Sequence, residues 1–225
     1  MLLPLTHGES VSWGIRALNK EQRFAIELLL NDQVKVVTLV GRAGTGKTLL
    51  ALAVGLEKVV EENGYARLLV TRPVTPMGDD LGYLPGTKEE KLRPWMQPIY
   101  DNLEFLFRNS PEPYELLQDL QRRGVLELEA LTYIRGRSIP RQFIICDEAQ
   151  NLSPHMIKTL ITRVGEDTKI VLTGDPEQID HPYLDASSNG LTYLIERIKG
   201  EEIAGHVTLI KGERSRVAEI GAKLL

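Results

Sequence analysis

Eight consecutive residues, Gly41-Arg42-Ala43-Gly44-Thr45-Gly46-Lys47-Thr48, combine glycines with a lysine and a hydroxyl at the spacing of a Walker A loop. Glycine lets the backbone curl until successive N–H groups face one anion, and a helix starting at the loop's end adds its partial positive charge. In such a loop Lys47 reaches the β- and γ-phosphates of a nucleotide, and the Thr48 hydroxyl ligates magnesium. Gly41, Arg42, Ala43, Gly44, Thr45, Gly46, Lys47, Thr48 and the following Leu49 are therefore the candidate ATP-binding set.

A second group of residues supplies the acidic chemistry. Ile144-Ile145-Cys146 runs into Asp147-Glu148-Ala149-Gln150, so an apolar strand ends in adjacent carboxylates. In a parallel α/β sheet, that end of a strand is where ligands bind. Beside a phosphate loop this is the Walker B arrangement: Asp147 holds magnesium, through water because the ion gives up its hydration shell reluctantly. Glu148 then polarises the attacking water. Cys146, the only cysteine, alternates away from its strand neighbours and reads as a small core residue.

These groups need a scaffold that brings loop and carboxylates together. Val34 to Val40 is a nearly continuous β-branched run, the pattern of a strand buried on both faces. Further strands are expected over Arg67 to Thr71, Phe143 to Asp147, Lys169 to Thr173 and His206 to Ile210, with a weaker one over Val125 to Ala130. Helices are expected from Asn19, with Asn19 and Gln22 spaced as N-cap and N3, over Lys47 to Glu62, and between Ser153 and Gly165. Alternating strands and helices imply a mostly parallel sheet covered on both sides. Thr75 to Pro113 breaks that rhythm with its many prolines, so the chain reads as a single α/β domain, residues 1–225, carrying a proline-rich insertion at about 75–113.

Composition limits the alternatives. The chain has 225 residues, 42% hydrophobic and 26% charged, with no apolar run long enough to span a membrane. The N-terminus shows no secretory signal, and a lone cysteine in an apolar run agrees with a reducing cytoplasm. A formal charge of −4 excludes a protein coated in positive charge, so any nucleic-acid site must be local. The stretch Gln121 to Arg141 carries Arg122, Arg123, Arg135, Arg137 and Arg141 and is either such a patch or a solvated face. The four histidines, His7, His155, His181 and His206, have no metal-ligand spacing.

Thr173-Gly174-Asp175-Pro176-Glu177-Gln178 resembles the third motif of superfamily-one helicases, and Leu18-Asn19-Lys20-Glu21-Gln22 is similar to the motif whose glutamine reads adenine. With Thr71-Arg72-Pro73-Val74, Leu84-Pro85-Gly86, Arg93-Pro94-Trp95-Met96-Gln97-Pro98 and Tyr133-Ile134-Arg135-Gly136-Arg137, the chain resembles the PhoH-like family of RecA-type ATPases over roughly residues 15 to 222. The resemblance implies a RecA-like core, magnesium-dependent ATP hydrolysis coupled to RNA, helicase or translocase activity, and assembly into a ring, often hexameric. It also implies that Gln178 contacts the γ-phosphate and that Gln22 reads adenine, although Gln22 could equally close a capping box. Some relatives carry a PIN nuclease domain; no cluster of nuclease carboxylates precedes Gln22, so this chain is expected to lack one.

A single RecA lobe needs an arginine from elsewhere to neutralise charge on the transferring phosphate. Glu213-Arg214-Ser215-Arg216 resembles the start of the helicase motif that carries one, making Arg214 the first candidate, from another subunit, and Arg216 the second. Arg72 either contacts phosphate or nucleic acid or makes a structural salt bridge, and Trp95 either stacks on a base or pins the insertion. The competing reading is a nucleotide-dependent assembly module with slow turnover. A GTPase is disfavoured because no Asn-Lys-x-Asp motif is present, and a small-molecule kinase because it has little use for Asp-Glu-Ala-Gln followed by Gly-Asp-Pro-Glu-Gln.

Overall fold

The computed structural model describes residues 4–7, 10–73, 88–131 and 138–213. Arg214, Arg216, the Leu84-Pro85-Gly86 segment and Tyr133 to Arg137 lie outside the described residues.

Six strands form one sheet in the order β3-β2-β4-β5-β1-β6, and every neighbouring pair is parallel. They are β1 (Val36–Gly41), β2 (Arg67–Arg72), β3 (Leu126–Ala130), β4 (Gln142–Cys146), β5 (Lys169–Gly174) and β6 (Ala204–Leu209). All six expected strands are present, including the weak one over Val125 to Ala130.

The helices are α1 (Lys20–Leu30), α2 (Lys47–Leu56), α3 (Lys88–Phe107), α4 (Pro113–Arg122), α5 (Pro154–Ile161) and α6 (Gly190–Ile198). Strand alternation divides the core between two faces of the sheet. Val37 and Leu39 of β1, Phe143 and Ile145 of β4 and Val171 of β5 pack with α1 to α4. Ile144, Cys146, Ile170 and Leu172 point the other way and pack with α5 and α6. Cys146 is therefore the core residue expected: it is fully buried, and burial pushes its thiol well above the usual range.

Local signals set several helix ends. Asn19 Oδ1 accepts the Gln22 N–H at 2.9 Å, Ser153 Oγ accepts that of Met156 at 3.3 Å, and Asn189 Oδ1 accepts that of Thr192 at 3.0 Å, each an N-cap bond. Helix α2 continues beyond Leu56 as a π-helical turn, Glu57–Glu61, where the expected helix ran unbroken to Glu62. Lys58 in that turn buries its ammonium between Asp32 at 3.0 Å and Glu62 at 2.9 Å.

The largest departure from the sequence reading is in the proline-rich segment. From residue 88 onward it forms α3, a 20-residue helix that contains Pro94 and Pro98. Met96, Ile99, Leu103, Leu106 and Phe107 of α3 are buried, with the three-and-four spacing of a core-facing stripe. Two prolines masked that periodicity, because each removes an N–H and normally argues against a helix interior. α3 packs on α2 and β3, so from residue 88 the segment is part of the helical layer covering the sheet.

Candidate nucleotide site

The phosphate loop joins β1 to α2, and its shape depends on closeness that only glycine permits. A Cβ on Gly41 would lie 2.3 Å from the Leu209 carbonyl oxygen of β6. Gly46, the N-cap of α2, has φ +89°, in the left-handed region open to glycine. The loop is held mostly by its own atoms. Thr45 Oγ1 donates to the Arg42 carbonyl at 2.9 Å, and Lys47 Nζ donates to the carbonyls of Gly41 at 2.5 Å and Arg42 at 3.0 Å.

Above the loop lies a cavity of about 300 Å³, lined by Ala43, Gly44, Gly46, Lys47, Thr48 and Leu49 on one side and Asp147, Glu148 and Gly174 on the other. Thr48 Oγ1 donates to Asp147 Oδ1 at 2.7 Å, and Thr173 Oγ1 donates to the same oxygen at 2.6 Å. The loop and the acidic strand end thus meet directly across 99 residues of sequence. A hydroxyl and a carboxylate oxygen are hard donors suited to magnesium, with phosphate oxygens and water completing the shell. Among the described residues no cluster of three or more His, Cys, Asp or Glu could hold a metal.

Glu148 has φ +53° and ψ +40°, uncommon for a residue with a side chain, and such geometry concentrates at active sites. Its Oε2 accepts from Gln150 Nε2 at 2.5 Å and its Oε1 from Arg72 Nη2 at 3.3 Å. Burial, reinforced by the neighbouring Asp147 charge, raises the Glu148 carboxyl above the usual range.

Gln150, to which the sequence reading gives no role, ties the acidic end together. It is 1% exposed, and besides holding Glu148 it donates to the Gln178 carbonyl at 2.9 Å and accepts the Asp175 N–H at 3.1 Å. A Cβ on Gly174 would lie 2.6 Å from Gln150 Oε1, so the glycine of Thr173-Gly174-Asp175 makes room for this amide. The available signal was its place in Asp-Glu-Ala-Gln, but nothing local says what it touches.

Several expected site residues lie elsewhere. Gln178 is exposed and does not line the phosphate cavity; its backbone carbonyl is what binds Gln150. Arg42 turns away from the cavity to pair with Glu177, Nη2 to Oε2 at 2.9 Å, on an exposed surface. Arg72 also stays off the cavity lining and divides its guanidinium between Glu148 and the Trp95 carbonyl.

Gln22 sits at N3 of α1 but does not close a capping box: its Oε1 accepts the N–H of Leu18, one residue before the N-cap Asn19, at 2.8 Å, and its Nε2 donates to the Thr45 carbonyl of the loop at 3.0 Å. It also lines a cavity of about 520 Å³ beside the loop, with Ile15, Leu18, Gly46, Leu49 and Phe105. Each end of its amide retains capacity for one more hydrogen bond.

Fold and site together define a RecA-like P-loop NTPase. Residues 14–221 match the model for PhoH-like protein, and the chain belongs to that family. It is 62% identical over 213 residues to Protein PhoH2 of Bacillus subtilis, covering 95% of this chain and 48% of the relative. It is 41% identical over 222 residues to Protein PhoH2 of Mycolicibacterium smegmatis, covering 98% and 49%. The chain therefore spans about half the length of these curated relatives. Among solved structures it is similar to the Sulfolobus solfataricus SWI2/SNF2 ATPase core in complex with dsDNA, with TM-score 0.50 and 16% identity over 92% of this chain and 47% of that one. That likeness bears on the fold alone. Among the described residues no helix is long and apolar enough to cross a membrane.

Proposed function

We propose that this chain hydrolyses ATP with magnesium and couples the cycle to RNA, as a helicase or translocase core. The observation that supports the hydrolytic half is the 2.7 Å bond between Thr48 and Asp147, beside Glu148 in the lining of the same cavity. Lys47 and the loop N–H groups bind the phosphates, and the Gln22 cavity takes the adenine. Thr48 and Asp147 would hold magnesium, which would neutralise phosphate charge. Glu148 orients the attacking water and accepts its proton as the bond from the γ-phosphorus to the bridging oxygen breaks.

RNA as the partner rests on the family resemblance, and the net charge of −4 confines it to a local surface. A cytoplasmic ring of like subunits, hexameric in the family pattern, would supply Arg214 or Arg216 in trans. Exchange between an Arg214→Ala subunit and a Lys47→Ala subunit should then restore some turnover.

The primary test is ATP turnover at low salt with magnesium, with and without single-stranded RNA, using Glu148→Gln as the blank. Turnover stimulated by RNA supports the reading. Turnover without stimulation removes the RNA half and favours an assembly ATPase. ATP binding without turnover overturns the hydrolytic half.

A further inference from the structure

Glu148 stands in a wall shared by two cavities. Together with Pro98 it lines both the cavity above the phosphate loop and a second one of about 290 Å³, bounded by Arg72, Pro73, Trp95 and Asp180. A carboxylate between two spaces has to be aimed, since a turn about its side-chain bonds exchanges one for the other. Its left-handed backbone directs the first atoms of the side chain, and the bonds to its oxygens fix the rest.

Arg72, the last residue of β2, reaches across this wall. One arm of its guanidinium, Nη2, donates to Glu148 Oε1 at 3.3 Å, and the other, Nη1, donates to the Trp95 carbonyl of α3 at 3.3 Å. Its side chain is 20% exposed, so these contacts are not on open surface. The carbonyl belongs to the turn of α3 bounded by Pro94 and Pro98. A planar fork with two diverging donors bridges two acceptors held by different elements, which a lysine ammonium does with less directional control.

We propose that Arg72 is a positioning residue for Glu148, clamping Oε1 of its carboxylate against α3 so that the side chain keeps one orientation in the wall between the two cavities. This assignment rests on the hydrolytic reading of the site. It differs from direct phosphate contact, the role expected if Arg72 turned toward the loop. Two elements distant in sequence, β2 and α3, thereby set the aim of a residue on a third.

The experiment compares kcat for ATP and the dissociation constant for ATP in wild type, Arg72→Ala, Arg72→Lys and Glu148→Gln, alone and combined. For Arg72→Ala, kcat should fall about 10- to 100-fold, as for a misaimed reacting group, while ATP binds within about 2-fold of wild type. Arg72→Lys should recover only part of the loss. In the Glu148→Gln background, which serves as the turnover blank, Arg72→Ala should leave the ATP dissociation constant within about 2-fold of the single variant, because it acts on Glu148 and not on phosphate. Arg72→Gln replaces the alanine variant if thermal melting shows that the latter does not fold. ATP affinity falling in step with kcat, a loss of ATP affinity in the Glu148→Gln background, or an unchanged kcat would overturn the assignment. No turnover in the wild type removes the hydrolytic reading and this one with it, whereas wild-type turnover with an unaffected Arg72→Ala removes this one alone.

Discussion

The phosphate loop and the acidic strand end face each other across one cavity but are built in opposite ways. The bonds by which the loop curls on itself are short-range, Thr45 reaching back three residues and Lys47 five and six, while Gln22 and Glu213 each donate one bond to it from outside. At the acidic end, Asp147 is held by Thr48 and Thr173, 99 and 26 residues away, and Glu148 by Arg72, 76 residues away. One half of the site is a local motif with a helix behind it. The other exists only when β2, β4 and β5 are in register and α3 lies against the sheet. Damage to the first should remove phosphate binding itself, whereas damage to the second should misalign chemistry and leave binding intact.

The largest effect should come from Lys47→Ala, which removes the ammonium that we propose binds the phosphates. ATP turnover is expected to fall at least about 100-fold, and ATP binding measured by calorimetry should weaken with it. Retained turnover would break the contrast at its stronger end. Gln150→Ala tests the other half. It removes the amide that holds Glu148, the Asp175 N–H and the Gln178 carbonyl together, so kcat should fall about 10- to 100-fold with ATP affinity nearly unchanged. Equal losses in affinity and kcat would mean the two halves are not separable.

Gln22→Ala sharpens the comparison, because Gln22 is a long-range prop under the loop, as is the Glu213 N–H on the Gly44 carbonyl. Removing it leaves the Thr45 carbonyl without its partner, a cost of about 1–3 kcal/mol in stability. A lowered denaturant midpoint and weaker ATP binding are expected together. An unchanged midpoint would show that the loop needs no support from α1.

The smallest effect lies at the far end of α1. Lys169 is fully buried and donates to the carbonyls of Leu28 and Asn31 at 2.8 Å each, tying β5 to the end of α1. Burial pushes its ammonium down to about 7. A lysine lowered in the folded state leaves the unfolded chain holding more protons between that value and the ordinary one near 10.5. Its contribution to stability should therefore rise with pH from about 7 toward 10, and should level off below 7. Between pH 7 and 9 the urea-derived stability of wild type should gain on Lys169→Met by about 1–2 kcal/mol. A difference independent of pH would mean the amine keeps its ordinary affinity for protons.

The same contrast explains what could be read from the chain. The loop, the strands and the helix caps were legible because each is written in a few adjacent residues: the glycine spacing of residues 41–48, the β-branched run before it, and Asn19 or Ser153 at a helix start. Arg72 makes the salt bridge that the sequence leaves open beside phosphate contact, binding Glu148 and the Trp95 carbonyl, and the Arg42 side chain binds Glu177; no local pattern names these partners. Helix α3 stayed hidden because Pro94 and Pro98 are strong local signals against it, and only burial of Met96, Ile99 and Leu103 outweighs them. Gln150 stayed hidden because an amide's role depends on its partners, which lie on two other segments.

By itself, the sequence determined the phosphate loop, the carboxylate pair and the parallel alternation, because short-range sterics and hydrophobic periodicity specify them without knowledge of distant residues. Only the tertiary structure decided how the carboxylates are aimed. Which side chain meets Glu148 depends on the strand order β2-β4-β5 and on the helix packed over it, and these emerge when the whole core is buried at once.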